Sequence, residues 1–356
     1  MENLLIDIVP IALLIITIIG MRPVKPFSSF NDDYLSLSTG KYYRGVFAIV
    51  IVLHHIMQNT STGYIMPQFL GAGVVGVAFF FFMSGYGLQK SYMKKGTDYR
   101  KGFLIKRLAP ILTEYVIVTI TCQLLYLTLG TVYTPIDVFR KIAEGFPIAP
   151  ASWFIISISV FYIVYYLLMI VCKKHYMFMV AGAFIYCILN LIICKKLDFG
   201  MWWYDANHLL VIGMLWAILE DKILPFIKRF YIVLAPVIWI CFIGVYLFDG
   251  TILTYIHIPH PDFVIAVVTT TLFIFSFILF SLKFTIGNKI LEFLGGISLE
   301  IYLMHGVFTM YFHADVIYIN TDILFALAVI ACAIITAYLL HFVSKLFVKD
   351  ASRRAQ

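Results

Sequence analysis

The chain has 356 residues, of which 62% are hydrophobic and only 13% charged, with a mean hydropathy of +0.95. A soluble domain carries roughly 45–50% apolar and about 25% charged residues, so this composition excludes a soluble enzyme or binding module and calls for an integral membrane protein. The formal charge of +7 suits anionic lipid at one membrane face and requires no nucleic-acid partner.

Spanning a bilayer takes about 20 mostly apolar residues, and eleven such runs follow one another. The first, Leu4–Gly20, follows a "MEN" start without positive charge. Asp7 interrupts it, and Arg22 and Lys25 come after it, so it reads as a retained helix and not a signal peptide. The second, Arg44–Met57, holds "RGVFAIVIVLHHI". Eleven helical steps bring His55 to within about 20° of Arg44 and roughly 16 Å along the axis, leaving His54 on another face. A histidine at this depth either donates to a neighbouring carbonyl or faces a polar cavity. The cation on its face favours the cavity for His55, with His54 left to packing.

The third run, Phe69–Gln89, ends in "FFFFMSGYGLQKSY". Ser84 sits there between apolar residues, and Gly85 and Gly87 are expected to weaken the helix. The basic loop Lys90–Arg107 follows, ending in Lys106 and Arg107. Its cations suit ordinary charge asymmetry or a polyanionic ligand. Glu114 lies near the start of the fourth run, Leu108–Leu129. The fifth, Trp153–Cys172, opens with Trp153, and the sixth is Tyr176–Cys194. The seventh, Met201–Leu219, begins with Trp202 and Trp203, read as interface anchors. Asp205 and His208 follow at i, i+3. After the eighth run, Phe230–Phe248, comes "HIPHPD" (His257, His260, Asp262), whose prolines spoil ligand spacing, so no metal is expected.

Phe263–Leu282 is the ninth run. The tenth, Ile290–Phe312, contains "GGISLEIYLMHG", in which Ser298, Tyr302 and His305 share one helical stripe. That stripe suits a site or interhelical hydrogen bonding equally. Glu300, about 200° from Ser298, must be protonated, paired or facing water, as must Glu114. The last run is Asp322–Phe347. With the N-terminus outside, all but four of the 26 Lys and Arg fall on inner connections. The exceptions are Arg140, Lys141, Lys195 and Lys196. The expectation is an all-α, polytopic transmembrane bundle of about 11 helices, N-terminus outside and C-terminus cytoplasmic. The six cysteines form no C-x-x-C and read as buried, inert thiols. Phosphate-loop, nucleophile-elbow, zinc-protease and dinucleotide fingerprints are missing from the sequence.

Four segments in this order resemble the acyltransferase-3 family of membrane acyltransferases: "RGVFAIVIVLHHI", "FFFFMSGYGL", "SWFI" (Ser152–Ile155) and "FLGGISLEIYLMHG". The resemblance runs from about Lys41 to Lys349. It implies a ten-helix core preceded by an added helix in residues 1–40, with residues 350–356 as a cytoplasmic tail. Members move an acyl group, often acetyl from cytosolic acetyl-CoA, onto glycans or other acceptors. The family's arginine and histidine carry over onto Arg44 and His55. Its paired arginines are matched only in part by Lys106 and Arg107. The implied protein is an O-acyltransferase of a bacterial cytoplasmic membrane, using acyl-CoA as donor and a glycan as acceptor, with lipids around it and no permanently bound cofactor. The competing reading is a non-catalytic transporter of a polysaccharide or small polar solute.

Overall fold

The computed structural model describes residues 2–26, 28–255 and 259–354. Apolar runs fold as α1 (Ile8–Ile19), α2 (Leu37–Met57), α3 (Ala72–Lys95), α4 (Phe103–Thr128), α6 (Trp153–Val171), α7 (Tyr176–Lys196), α10 (Pro261–Lys283) and α13 (Asp322–Arg354). Between them lie α5 (Pro135–Ala143), the 40-residue α8 (His208–Leu247), α9 (Asp249–Tyr255), and the pair α11 (Lys289–Gly296) and α12 (Ser298–Tyr311). Short strands form two antiparallel pairs, and Arg22–Pro23 with Phe284–Thr285 ties the N-terminal segment to the end of α10. The protein is all-α. Among the described residues, seven helices are long and apolar enough to cross a membrane, or up to eight if α11 and α12 form one bent span. Ile120, Leu124, Phe184, Leu189, Ile335 and Leu339 stand exposed on α4, α7 and α13. Apolar faces of that extent meet lipid. The chain is a multi-pass membrane protein.

Three expectations change. The seventh and eighth apolar runs are joined in one helical segment, α8, with non-helical dihedrals at Phe230. Glu220 meets Tyr34, Tyr86 and Lys90, whereas Tyr246 donates to the Gln68 carbonyl at 2.6 Å. Lys90 and Gln68 flank opposite ends of α3, so α8 doubles back on itself. The tenth run is broken at Ile297, where α11 and α12 meet at 73°. The third change concerns "SGYG". Helix α3 runs through it unbroken. A Cβ on Gly85 would collide with the Leu210 carbonyl oxygen, and one on Gly213 with the Phe82 carbonyl oxygen. These glycines let two backbones touch, as small residues do at membrane helix crossings. Gly85→Ala should therefore force α3 and α8 apart and destabilise the fold by about 1–3 kcal/mol. Thermal unfolding in detergent should show a lower Tm, whereas Gly87→Ala, with open space around it, should leave Tm unchanged.

Helix α2 is central. Ser36 caps its start by accepting from the Thr39 N–H. Gly45 faces the backbone of Leu291 and Gly295, and Gly295 faces the Lys41 carbonyl, so α2 and α11 also cross backbone to backbone. That contact fixes α12, which follows the break, against the second half of α2.

Candidate active site

Two of the cavities that border α2 take in the polar residues singled out by the sequence, one towards each end of the helix. The first, of about 340 Å³, is lined by Arg44, Ser84, Ile155, Ser298, Glu300 and Tyr302, among others. The second, of about 710 Å³, takes in His54, His55, Gln58, Trp153, Asp205 and His305, together with Tyr302. Val77 and Tyr302 line both cavities and form the wall between them. The stripe Ser298–Tyr302–His305 therefore runs from one cavity to the other. "SWFI" straddles the same boundary, with Trp153 on one side and Phe154 and Ile155 on the other.

The rise of α2 separates Arg44 from His55 by about 16 Å, which is why they serve different cavities despite nearly equal helical angles. Among the described residues, the Arg44 guanidinium has no hydrogen-bond or ion-pair partner. A half-buried cation left unpaired in a cavity has the chemistry to bind an anion.

The histidines form one polar chain. His54 Nδ1 lies 3.2 Å from the Phe69 carbonyl oxygen, which can only accept, so Nδ1 carries the proton. Neutral His54 must then accept at Nε2, where the Gln58 amide nitrogen donates at 3.1 Å. This orients the Gln58 oxygen towards His55 Nδ1, at 2.8 Å, so His55 donates from Nδ1 and keeps a free lone pair on Nε2. The expected division of labour is thereby corrected. His54 also lines the cavity, because residues 100° apart can both border so wide a space, and its ring orients Gln58. His305 is fully buried, its ring 4.8 Å from that of His55, and neither of its nitrogens has a protein partner among the described residues.

The other sequence candidates divide. Asp205 lines the larger cavity, and His208 turns to Thr271 at 3.1 Å. Trp202 lines that cavity, but Trp203 is buried and donates to the Gly145 carbonyl at 3.0 Å, so it is no interface anchor. Glu300 is paired, its carboxylate 2.5 Å from His341 Nδ1. Glu114 is only 3% exposed, and its Oε1 has no partner among the described residues. It lines neither cavity. Arg107 donates to the Tyr99 hydroxyl at 2.6 Å, and it and Lys106 also lie outside both cavity walls. His257 lies outside the described residues. Gln58, Val77 and His341 adjoin the candidate residues, and the sequence does not single them out. Of these only Gln58 carries a local signal, standing three and four residues after the histidine pair.

A family model described as an acyltransferase domain matches residues 41–342. No curated protein and no solved structure matches the chain.

Proposed function

The chain belongs to the acyltransferase-3 family, and from that premise we propose that it is a membrane O-acyltransferase, taking acetyl or another acyl group from cytosolic acyl-CoA to a hydroxyl of an extracytoplasmic or membrane-linked glycan. The observation that carries this reading is the pair of cavities meeting at Val77 and Tyr302, one with an unpaired Arg44 and the other with His55. CoA is a phosphorylated anion on a long, thin pantetheine arm. Arg44 holds phosphate, and the arm crosses the wall at Tyr302 to bring the thioester beside His55. In the larger cavity His55 Nε2 takes the proton of the acceptor hydroxyl as its oxygen attacks the thioester carbonyl. His305 donates to the developing oxyanion. The C–S bond then breaks, and the imidazolium returns its proton to the departing CoA thiolate.

The sidedness belongs to the same proposal. Lys41, Lys90 and Lys228 cluster near the Arg44 end through Glu292, Glu220 and Asp32. Lys141 borders the larger cavity. With the positive-inside bias, the Arg44 cavity faces the cytosol and the His55 cavity faces out. A cysteine replacing Tyr64, which is exposed beside the larger cavity's loop, should react with an impermeant thiol reagent in intact cells. One replacing Lys94 should stay shielded until the membrane is permeabilised. The opposite pattern would overturn the cytosolic donor. The decisive assay is acetyl-CoA turnover by the purified protein: no transfer or hydrolysis from wild type would sink the enzymatic reading.

A further inference from the structure

The matched family region begins at residue 41, yet the polar chain that sets His55 starts from a loop held by residue 7. The Asp7 carboxylate accepts three successive backbone N–H groups, from Tyr64 at 2.8 Å, Ile65 at 3.0 Å and Met66 at 2.8 Å. Three residues on, the Phe69 carbonyl accepts the hydrogen bond from His54 Nδ1–H. The fit is close. Ile6 and Met66 are fully buried, and Gly63 adopts φ +98°, with an added Cβ only 2.6 Å from Asp7 Oδ1. Any side chain there would be strained by its dihedral and would collide with the carboxylate. On the other side of the loop, Asp322 accepts from the Ser61 and Thr62 N–H groups and the Thr62 hydroxyl. The Tyr246 hydroxyl donates to the Gln68 carbonyl.

Buried backbone N–H groups need acceptors, and a short loop without its own ladder obtains few from itself. Asp7 supplies three at once, through charge-assisted bonds about twice as strong as neutral ones. Met66, its last partner, opens the 3-10 turn Met66–Phe69, so the carboxylate fixes where the Phe69 carbonyl points. That carbonyl is the one group in the chain from Phe69 to His54 to Gln58 to His55 whose hydrogen-bonding role is fixed by its chemistry. All the proton positions downstream follow from it.

We propose that Asp7 is a positioning residue for the acyl-transfer site: by clamping the loop after the histidine pair it holds the Phe69 carbonyl against His54 and thereby keeps His55 in the tautomer whose Nε2 is free. This rests on the proposed role of His55, and it makes the N-terminal helix, which precedes the matched family region, part of the working site. The experiment compares Asp7→Ala and Asp7→Asn with wild type, using acetyl-CoA hydrolysis read as free thiol and nitrogen-15 spectra of labelled histidines read for tautomer. A catalytic group displaced by about 1 Å loses up to about 100-fold in rate. Asp7→Ala should lower kcat by roughly tenfold to 100-fold, leave the KM for acetyl-CoA within about twofold (its phosphate site being about 16 Å away along α2), and mix the tautomers of His54 and His55. Asp7→Asn keeps one acceptor oxygen and should recover part of the rate.

An unchanged tautomer, an unchanged kcat, a donor KM that rises as far as kcat falls, or an asparagine variant no better than alanine would each overturn the proposal. Should Asp7→Ala not fold, the same readouts on Asp7→Asn decide it. If wild type turns over no acetyl-CoA, the enzymatic reading fails, and the tautomer spectra still judge the clamp by themselves.

Discussion

His55→Ala should lower acyl transfer by about 100- to 10,000-fold, the usual worth of a general base, without loss of folded protein. The ring borders a cavity, so its removal enlarges a space that already exists and does not open a void in packed core. His54→Ala should cost less. It removes the ring through which the loop sets the proton order of Gln58 and His55 but leaves the base itself, so about tenfold to 100-fold is expected, as for Asp7→Ala. His305→Ala should fall between them, at about 100- to 1000-fold, if its ring supplies the oxyanion donor. His305→Gln, which retains an N–H, should recover part of that loss. The measurement is kcat for acetyl transfer or hydrolysis on monodisperse protein. Equal, mild losses for His54→Ala and His55→Ala would mean that the pair only packs, and the assignment of His55 as base would fall.

The stagger of Arg44 and His55 is legible in the sequence because rise and rotation per residue are backbone constants, independent of what surrounds the helix. The stripe of Ser298, Tyr302 and His305 is legible for the same reason. What each residue faces is not. The proton order of the histidine chain depends on the Phe69 carbonyl, fifteen residues from His54, and on a carboxylate at residue 7 that no local pattern connects to it. Glu300 raises the demand for a partner, but its answer, His341, lies 41 residues away. The glycines of "SGYG" are ambiguous in sequence, since a weakened helix and a close crossing use the same residue. Only Leu210 and Gly213, on a distant helix, decide between them. The two apolar runs on either side of residues 220–229 are plain in the sequence, yet the linker between them is helical up to Phe230. Its lysines and leucine favour helix, and its charges mark where the chain turns back.

Arg44→Gln tests the other end of the site. A guanidinium can form paired, charge-assisted bonds to phosphate, each hydrogen bond to a charged group being worth about 1.5–3 kcal/mol. Loss of the charge should therefore raise the KM for acetyl-CoA by roughly tenfold to 100-fold. The change in kcat should be smaller, because phosphate is held alike before and during transfer. Among the described residues Arg44 has no protein partner to leave stranded, so the substitution removes a ligand contact without breaking an ion pair, and stability should hold. Arg107→Gln should have a weaker effect, since that side chain is already engaged with Tyr99 and lies outside the cavity wall. Lys94, at the solvated end of α3, serves as the control for diffuse charge. Added salt should weaken donor binding less in wild type than an exposed cation would allow, because a half-buried pair is poorly screened. If Lys94→Gln raised KM as far as Arg44→Gln, attraction by the whole basic face would account for the donor's binding, and the phosphate contact assigned to Arg44 would be wrong.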